Sequence, residues 1–571
     1  MCWVPLTQRN TPPCMMGIKG PILALYMDDS SVVFISIHCE RSPDAVALGS
    51  ASVASFIQAQ FPRIQLLDAY VDEGAPQIFE RLSQLCSDHN VSGKWVIGFS
   101  LYSWNRRLGQ AVAELCRKTF PDSLLVAGGP EVSARPEGLG IQDGGPFSVL
   151  IQGEGESALL KILTSWAHGQ SVEPAIVQGE PENLSALPSP WLSGLLEGTK
   201  GALWELARGC PYGCTYCFES KGNHRVRYIS EERFNQELDY FVQKQIPSVF
   251  VLDPTFNANN QGTLRILDRI LEKAPDIHWH FEVRAERINR DQARRFAQLG
   301  ASLQIGLQTA DPEVSSRLNR PLDRAKFKQK IDILNQEGVV FGLDLIYGLP
   351  GDTLQGFMES INFAINLYPN HLDIFRLAVL PGTVLAGQAH DYGMDYNREP
   401  PYTLRSSASF PPQDLDKAER LARSVDFFYN KGRAVPWFNQ VLYPLKKTPA
   451  QLFQLFADFM DAKKKPWDAN LDSSYPASRE AIMLEFLDEV FEKQKRSYLL
   501  PALWDVVRFH GAWARAMAEG ITTTIDCNYD PDQLFGAGTL DLEEFCILAE
   551  MNPTKIRVRP GRGEPEVSII S

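Results

Sequence analysis

Three cysteines constrain this chain more than any other feature. Cys210, Cys214 and Cys217 lie in the stretch A-R-G-C-P-Y-G-C-T-Y-C-F-E-S, residues 207–220, with three and then two residues between them. Three thiolates so close in sequence can hold three corners of a small iron–sulfur cube and leave the fourth iron open. Gly209, Pro211 and Gly213 suit a tight loop that turns the sulfurs inward. A short apolar run, residues 202–206, precedes the loop and reads as a strand. The thiols therefore belong at the carboxyl end of a strand, where barrel enzymes keep their chemistry. Structural zinc takes four ligands. Only His224 lies near enough to be a fourth, and there is no second Cys-x-x-Cys. A disulfide would leave one thiol over.

The chain has 571 residues, too many for one core, and suggests about three domains. Its formal net charge of −13 argues against binding nucleic acid by phosphate neutralisation. No apolar run reaches membrane-spanning length, and the first ten residues show no secretory signal. The cysteines outside the loop, at 2, 14, 39, 86, 116, 527 and 546, are scattered. They read as reduced thiols, which predicts a cytoplasmic protein. The charge and the lack of a long apolar run predict no nucleic-acid or membrane partner.

Residues 1–171 alternate short apolar runs with amphipathic stretches. Strands are expected at 32–37, 63–69, 95–100, 123–127 and 148–151. Helices are expected at 44–60, 76–89, 105–118 and from 156 to 166. This alternation predicts an open, doubly wound parallel α/β sheet. Such sheets bind ligands beyond the carboxyl ends of their strands. Gly128, Gly129 and Gly153 fall at those ends, where a bulky ligand needs close backbone approach. A G-x-G-x-x-G after the first strand is missing, which weakens a dinucleotide-binding reading. Residues 172–200 are rich in Pro, Ser and Gly and read as an extended linker.

Across residues 201–400 strand and helix alternate again. After the strand before the cysteines, strands are expected at 248–252, 278–283, 302–305, 340–346 and 372–377, six in all. Ser230 reads as a helix N-cap followed by Glu231 and Glu232. Polar residues gather at the strand ends: Asp253, Thr255 and Asn257, then Glu282, Arg284 and Glu286, then Gln304 and Gln308, then 348–352. Such positions face the mouth of a barrel. Residues 401–571 read as mainly α-helical, with amphipathic stretches at 414–432 and around 482–491. Small strands or a loose tail are expected after 526.

The cysteine spacing, with Tyr216 before the last cysteine, resembles the signature of radical S-adenosylmethionine (SAM) enzymes. The phrases G-L-Q-T-A-D-P and D-L-I-Y-G-L-P-G-D resemble a subgroup of them. Upstream, G-F-S-L-Y-S-W-N, G-G-P-E-V-S and G-E-G-E resemble the cobalamin-binding domain that precedes many such barrels. The segment F-Y-N-K-G-R-A-V-P-W-F resembles the helical domain that follows some of them. The resemblance implies a Rossmann-like cobalamin-binding domain, a partial (β/α)6 TIM-type radical SAM barrel and a helical C-terminal domain.

It also implies three cofactors: a 4Fe–4S cluster on Cys210, Cys214 and Cys217, SAM, and cobalamin. For SAM it points to Arg284 at the carboxylate, Gln308 or Asp253 at the ribose, and Tyr216 with Leu377 or Val379 beside adenine, with Thr255 at the same rim. For cobalamin it points to Ser100, Tyr102, Trp104, Gly128, Gly129, Glu131, Gly153 and Glu154. The Asp-x-His-x-x-Gly pattern that supplies a lower cobalt ligand is absent. Ser87-Asp88-His89 has the wrong spacing. His38 stands after the first strand, but an isolated histidine is more often structural and no second-shell partner for it is evident in sequence. The resemblance therefore implies a cobalt that is five-coordinate or water-ligated on its lower face. The implied reaction is methylation of an unactivated carbon through methylcobalamin and a 5′-deoxyadenosyl radical. It would use a small-molecule or peptide substrate and an electron donor such as flavodoxin or ferredoxin. Alternatives are a non-methylating oxidoreductase or cyclase with the same cofactors, and a non-catalytic cobalamin or redox sensor. Transfer-RNA methylthiolation ranks last, since it needs a second cluster and a basic surface.

Overall fold

The computed structural model describes residues 31–43, 45–88, 95–220, 224–467, 476–532 and 542–570. Cys2, Cys14, Asp44 and His89 lie outside them. The chain divides into two compact units, 1–183 with 187–198, and 184–186 with 199–571.

The first unit is a six-stranded parallel sheet ordered β2-β1-β3-β4-β5-β6. The strands are β1 Ser31–His38, β2 Ile64–Tyr70, β3 Trp95–Ser100, β4 Leu124–Gly128, β5 Val149–Gln152 and β6 Ala175–Gln178. Helices α1 Leu48–Ile57, α2 Ala75–Asp88, α3 Arg106–Thr119 and α4 Glu156–Ala167 connect them. Alternate residues of each strand serve opposite faces. Val33, Ile35 and Ile97 pack with α2 and α3, whereas Val32, Phe34 and Val96 pack with α1 and α4. The strand order reverses between β1 and β3, which makes that crevice the switch point where such sheets bind ligands. The sixth strand falls within the stretch expected as linker. Its A-I-V-Q core is hidden by flanking Pro and Gly in the sequence.

In the second unit six parallel strands run in chain order. They are β7 Ala202–Trp204, β8 Ser248–Val251, β9 His278–Val283, β10 Ser302–Gln308, β11 Val340–Tyr347 and β12 His371–Arg376. This is the order a partial barrel requires. Five intervening helices, α5 Glu231–Gln243, α6 Asn260–Lys273, α7 Arg290–Gln298, α8 Arg324–Glu337 and α9 Leu354–Ile365, follow successive strands. The side chains of Ser230, Asn259, Asn289, Asp323 and Thr353 cap them. Trp204, Trp279 and Phe281 fill the layer between strands and helices.

The chain then turns largely helical. Helix α10 Pro412–Ser424 continues into a wide turn at Val425–Asn430. There Phe428 meets Phe453, Phe456 and Phe486 in edge-on contacts. The final stretch is not a loose tail: Thr523–Cys527, Thr554–Arg559 and Glu566–Ile570 form an antiparallel sheet against Leu500–Glu519.

Candidate functional site

The cysteine loop leaves β7 at the carboxyl edge of the barrel. Its base is a two-residue antiparallel pair, Ala207 with Tyr228 and Arg208 with Arg227. Gly209 takes a φ of 98°, and a Cβ there would come within 2.8 Å of the Arg225 carbonyl oxygen. Only glycine makes that turn without strain. Asp253, just past β8, accepts the N–H groups of Leu206 and Ala207 at 2.9 Å each. Burial pushes its carboxyl up to about 7. The far side of the loop is stitched down by Thr215 N–H to the Leu318 carbonyl at 3.0 Å and by Asn319 Nδ2 to the Gly213 carbonyl at 2.8 Å.

Cys210 and Cys214 are buried and Cys217 is half-buried. Thr255 Oγ1 lies 3.9 Å from Cys210 Sγ. Among the described residues no three of His, Cys, Asp and Glu gather tightly enough for a single metal ion. The donor set is three soft thiols on one short loop, which suits a cluster larger than one ion.

Around the loop the barrel supplies charge of both signs. Arg284 is buried, stacks on the Tyr212 ring at 3.8 Å and pairs with Glu286 at 3.5 Å. Arg287 Nε donates to the Tyr212 hydroxyl at 3.0 Å. Arg320 donates to the Gly306 carbonyl and lies beside Cys214, Tyr216 and Glu286. Burial opposes charge on Glu286, but Arg284 and Arg320 outweigh it and hold its carboxyl below the usual range. Glu282 is exposed at the end of β9, yet desolvation by the protein around it, and then Asp344 and Glu219, raise its carboxyl to about 7. Asp344 rises to about 6 by burial, countered by Gln304, which donates to Asp344 and, at 3.2 Å, to Asp373. Burial also raises the Tyr216 hydroxyl.

Gln308 is the most strained of these positions. It closes β10 at a bulge with φ of 70°, a left-handed conformation unusual for glutamine. Its Oε1 is buried with no hydrogen-bond partner. A buried acceptor left open at a strand end fits a site built for a ligand hydroxyl or ammonium. Leu377 and Val379 are buried just past β12.

The sequence-predicted residue Tyr216 is thus brought beside Cys214, Cys217 and Arg284. Asp253 and Thr255 support the loop directly. Arg320 and Asp344 were missed. Arg320 follows a short helix in a segment with no periodic signal, and only the fold carries it to the loop.

In the first unit Ser100 ends β3, and Tyr102 stacks on Trp104 at 4.4 Å beyond it. Trp104 is 49% exposed, and its indole N–H donates to the Ile37 carbonyl at 3.1 Å. Asn105, another residue that was missed, is buried and bridges the carbonyls of Ile37 and Ser100 at 2.9 and 3.1 Å. It ties the ends of β1 and β3 together. Glu131 is buried against Arg106 at 3.2 Å, and Glu154 accepts the Glu182 N–H at 2.9 Å. Gly129 and Gly153 have φ of 103° and 88°, and a Cβ on either would collide with the Leu101 or Gly179 carbonyl at 2.7 or 2.6 Å. Gly128 has no such clash: its nearest atom would be the Ile151 carbonyl at 3.8 Å. An exposed aromatic platform at the switch point and an open Gly128 suit a large, flat ligand. Those features fit cobalamin.

Comparison with known proteins fixes the class of the barrel. Residues 204–364 match the Radical SAM superfamily, so the barrel is a radical SAM domain. Residues 390–509 match a protein family of unknown function, DUF4080. The cobalamin-dependent radical SAM methyltransferase TokK of Streptomyces tokunonensis is 28% identical over 327 residues, 51% of this chain and 48% of TokK. The chain therefore spans about half the length of the curated relatives it matches. The solved structure of the cobalamin-dependent S-adenosylmethionine radical enzyme OxsB with aqua-cobalamin bound has a TM-score of 0.57 at 14% identity, covering 87% of this chain and 82% of OxsB. The radical S-adenosylmethionine methyltransferase TsrM of Kitasatospora setae, with cobalamin and a 4Fe–4S cluster bound, has a TM-score of 0.55 at 13% identity, covering 82% of this chain and all of TsrM. Both share the fold. Among the described residues no helix is long and apolar enough to cross a membrane.

Proposed function

We propose that this chain is a cobalamin-dependent radical SAM methyltransferase acting on an unactivated carbon of a small-molecule or peptide substrate. The observation that carries the proposal is the three-thiol loop, two of its thiols buried, set beside Arg320, Arg284 and the strand-end carboxylates of the barrel. When bound, the cluster and cobalamin supply one-electron chemistry and methyl-group transfer, which no side chain can perform.

The chain's own groups bind, orient and shield. Cys210, Cys214 and Cys217 hold the cluster. Asp253 and Asn319 fix the loop from either side, so the thiols are preorganised. Arg320 offers a half-buried cation for a carboxylate, and Glu282 offers an acceptor for an ammonium group. With its carboxyl near 7, Glu282 can exchange a proton near neutrality. Gln308 presents its open oxygen to a hydroxyl or ammonium donor. Tyr216 and the apolar Leu377 and Val379 exclude water. In the first unit Tyr102 and Trp104 form an aromatic floor, and Gly128 permits close approach. Electrons come from a reduced carrier such as flavodoxin or ferredoxin.

Anaerobic reconstitution tests the reading. The expected protein holds about four irons and one cobalamin. Turnover with substrate should yield S-adenosylhomocysteine, 5′-deoxyadenosine and a methylated product. 5′-Deoxyadenosine without S-adenosylhomocysteine would replace methyl transfer with the non-methylating reaction. A protein that binds cobalamin but never cleaves SAM would overturn the enzyme reading.

A further inference from the structure

We propose that His38 is the lower axial ligand of cobalt, an inference that rests on the cobalamin reading above. His38 is the last residue of β1 and stands at the switch point between β1 and β3. Its Nε2 lies 2.7 Å from Oδ1 of Asp68 on the neighbouring strand β2. The in-register partner of His38 is Tyr70, and Asp68 pairs with Ser36, so all four residues share one face of the sheet. That face packs on α1, and Ser36 bonds to Ser50 of α1 at 2.8 Å. His38 is therefore held from the side by a carboxylate thirty positions away in sequence.

The arrangement matches a metal-binding imidazole in three respects. A histidine that ligates a metal donates its other N–H to a carboxylate, which fixes the tautomer and raises ligand basicity. Asp68 fills that role, and its carboxylate bonds to no other side chain among the described residues. The nearby arginines are engaged elsewhere: Arg41 with Asp72, Glu73 and the Tyr70 ring, and Arg81 with Glu73 and the Asp68 backbone carbonyl. The second ring nitrogen, Nδ1, has no hydrogen bond among the described residues. It keeps a lone pair for a metal while the ring itself is largely covered, with only 13% of its side chain exposed. A surface ion pair alone would explain the contact but not its place at the one crevice where the strand order reverses. The step is a ligand exchange. The Nδ1 lone pair replaces water or the cofactor's own nucleotide base, no electron moves, and the Nε2 proton stays shared with Asp68.

The test is electron paramagnetic resonance of the full chain loaded with cobalamin and reduced to the Co(II) state. In the wild type each cobalt line should be split by one nitrogen. The splitting should change from a triplet to a doublet when the protein is grown on ¹⁵N-histidine, which the cofactor's own base cannot mimic. His38→Ala should abolish the splitting. Asp68→Asn should keep it but shift the cobalt midpoint potential, an effect that a purely structural contact would not produce. The labelled wild type needs no substitution, so a folding failure of His38→Ala does not blunt the test. Bound cobalamin whose spectrum ignores the isotope overturns the ligand assignment alone. A correctly folded chain that binds no cobalamin overturns the cofactor reading as well.

Discussion

The two parallel α/β units handle their strand ends in opposite ways. In the barrel, helices α5 to α9 each begin with a side-chain cap, from Ser230, Asn259, Asn289, Asp323 and Thr353. In the first unit the N-cap residues of α1, α3 and α4, Ala47, Asn105 and Gly155, supply no side-chain cap of their own, and α4 borrows one from Glu182, which accepts the Ser157 N–H at 3.0 Å. The titratable groups run the other way. Glu131 and Glu154 of the sheet are already bonded within it. The barrel keeps Asp253 and Glu282 near 7 and leaves Gln308 open. A sheet with open glycines at its strand ends and settled side chains is built to hold a large ligand by shape and close main-chain approach. A barrel with settled backbone and unsettled side chains is built to do chemistry.

The sharpest way to break this contrast is to remove the thiols. Replacing Cys210, Cys214 and Cys217 together by alanine should reduce bound iron from about four atoms to none and abolish SAM cleavage. Cobalamin binding should survive, because the first unit has its own core. Iron and cobalt analysis of one sample reads both effects. Loss of both metals would show that the units do not work separately.

Two glycines sharpen the claim about shape. Gly129→Ala forces a Cβ to within 2.7 Å of the Leu101 carbonyl at a φ of 103°. It should cost roughly 2–4 kcal/mol and unfold the sheet before the barrel in thermal melts. Gly128→Ala meets nothing closer than 3.8 Å and should leave the melting temperature unchanged. If Gly128 faces the corrin, this quieter variant should still lose cobalamin. Normal cobalamin affinity in Gly128→Ala would remove that residue from the site.

Much of this arrangement was legible in the sequence, and the limits follow from physics. The cysteine loop is local, so spacing alone exposed it. The strands read clearly because buried parallel strands are short, continuous apolar runs. Polar partnerships are not local. Nothing near His38 signals Asp68, and nothing near Glu131 signals that Arg106 neutralises it. Asp253 reads as a ligand group from position, yet two of its bonds go to the backbone that launches the cysteine loop. Arg320 had no pattern to betray it, since its environment is assembled from β10, the cysteine loop and Glu286.

Arg320→Met removes the half-buried cation from the loop. Truncating one partner of a desolvated charge pair typically costs about 2 kcal/mol or more, so SAM affinity should fall by at least roughly 30-fold. Isothermal titration of the reconstituted protein checks this. An unchanged Kd would hand the role back to Arg284.

The Asp253 carboxyl gives a pH signature. Its folded pKa, about 7, lies above the ordinary carboxylate value of 3.8. Between those values the folded chain binds the extra proton, so stability falls as pH rises, by at most about 1.4 kcal/mol per pH unit, and levels off above 7. Asp253→Asn keeps an acceptor for Leu206 and Ala207 and should flatten the slope in apoprotein melts between pH 4 and 7. A slope that persists in the variant would assign it to Glu282 or another carboxyl.

Gln308 produces a small effect on stability and the most pointed comparison. Its orphaned Oε1 and its φ of 70° both cost free energy in the empty barrel. Gln308→Leu removes the open acceptor and keeps much of the side-chain volume. The apoprotein should therefore melt unchanged or slightly higher, by about 1 kcal/mol at most. SAM affinity should drop roughly tenfold, the loss expected for one hydrogen bond of about 1.4 kcal/mol. Gaining stability while losing ligand is the mark of a residue kept strained for binding. If Gln308→Leu instead lowered stability and left SAM affinity intact, the oxygen would be a packing compromise. The distinction between a settled sheet and an unsettled barrel would then rest on the carboxylates alone.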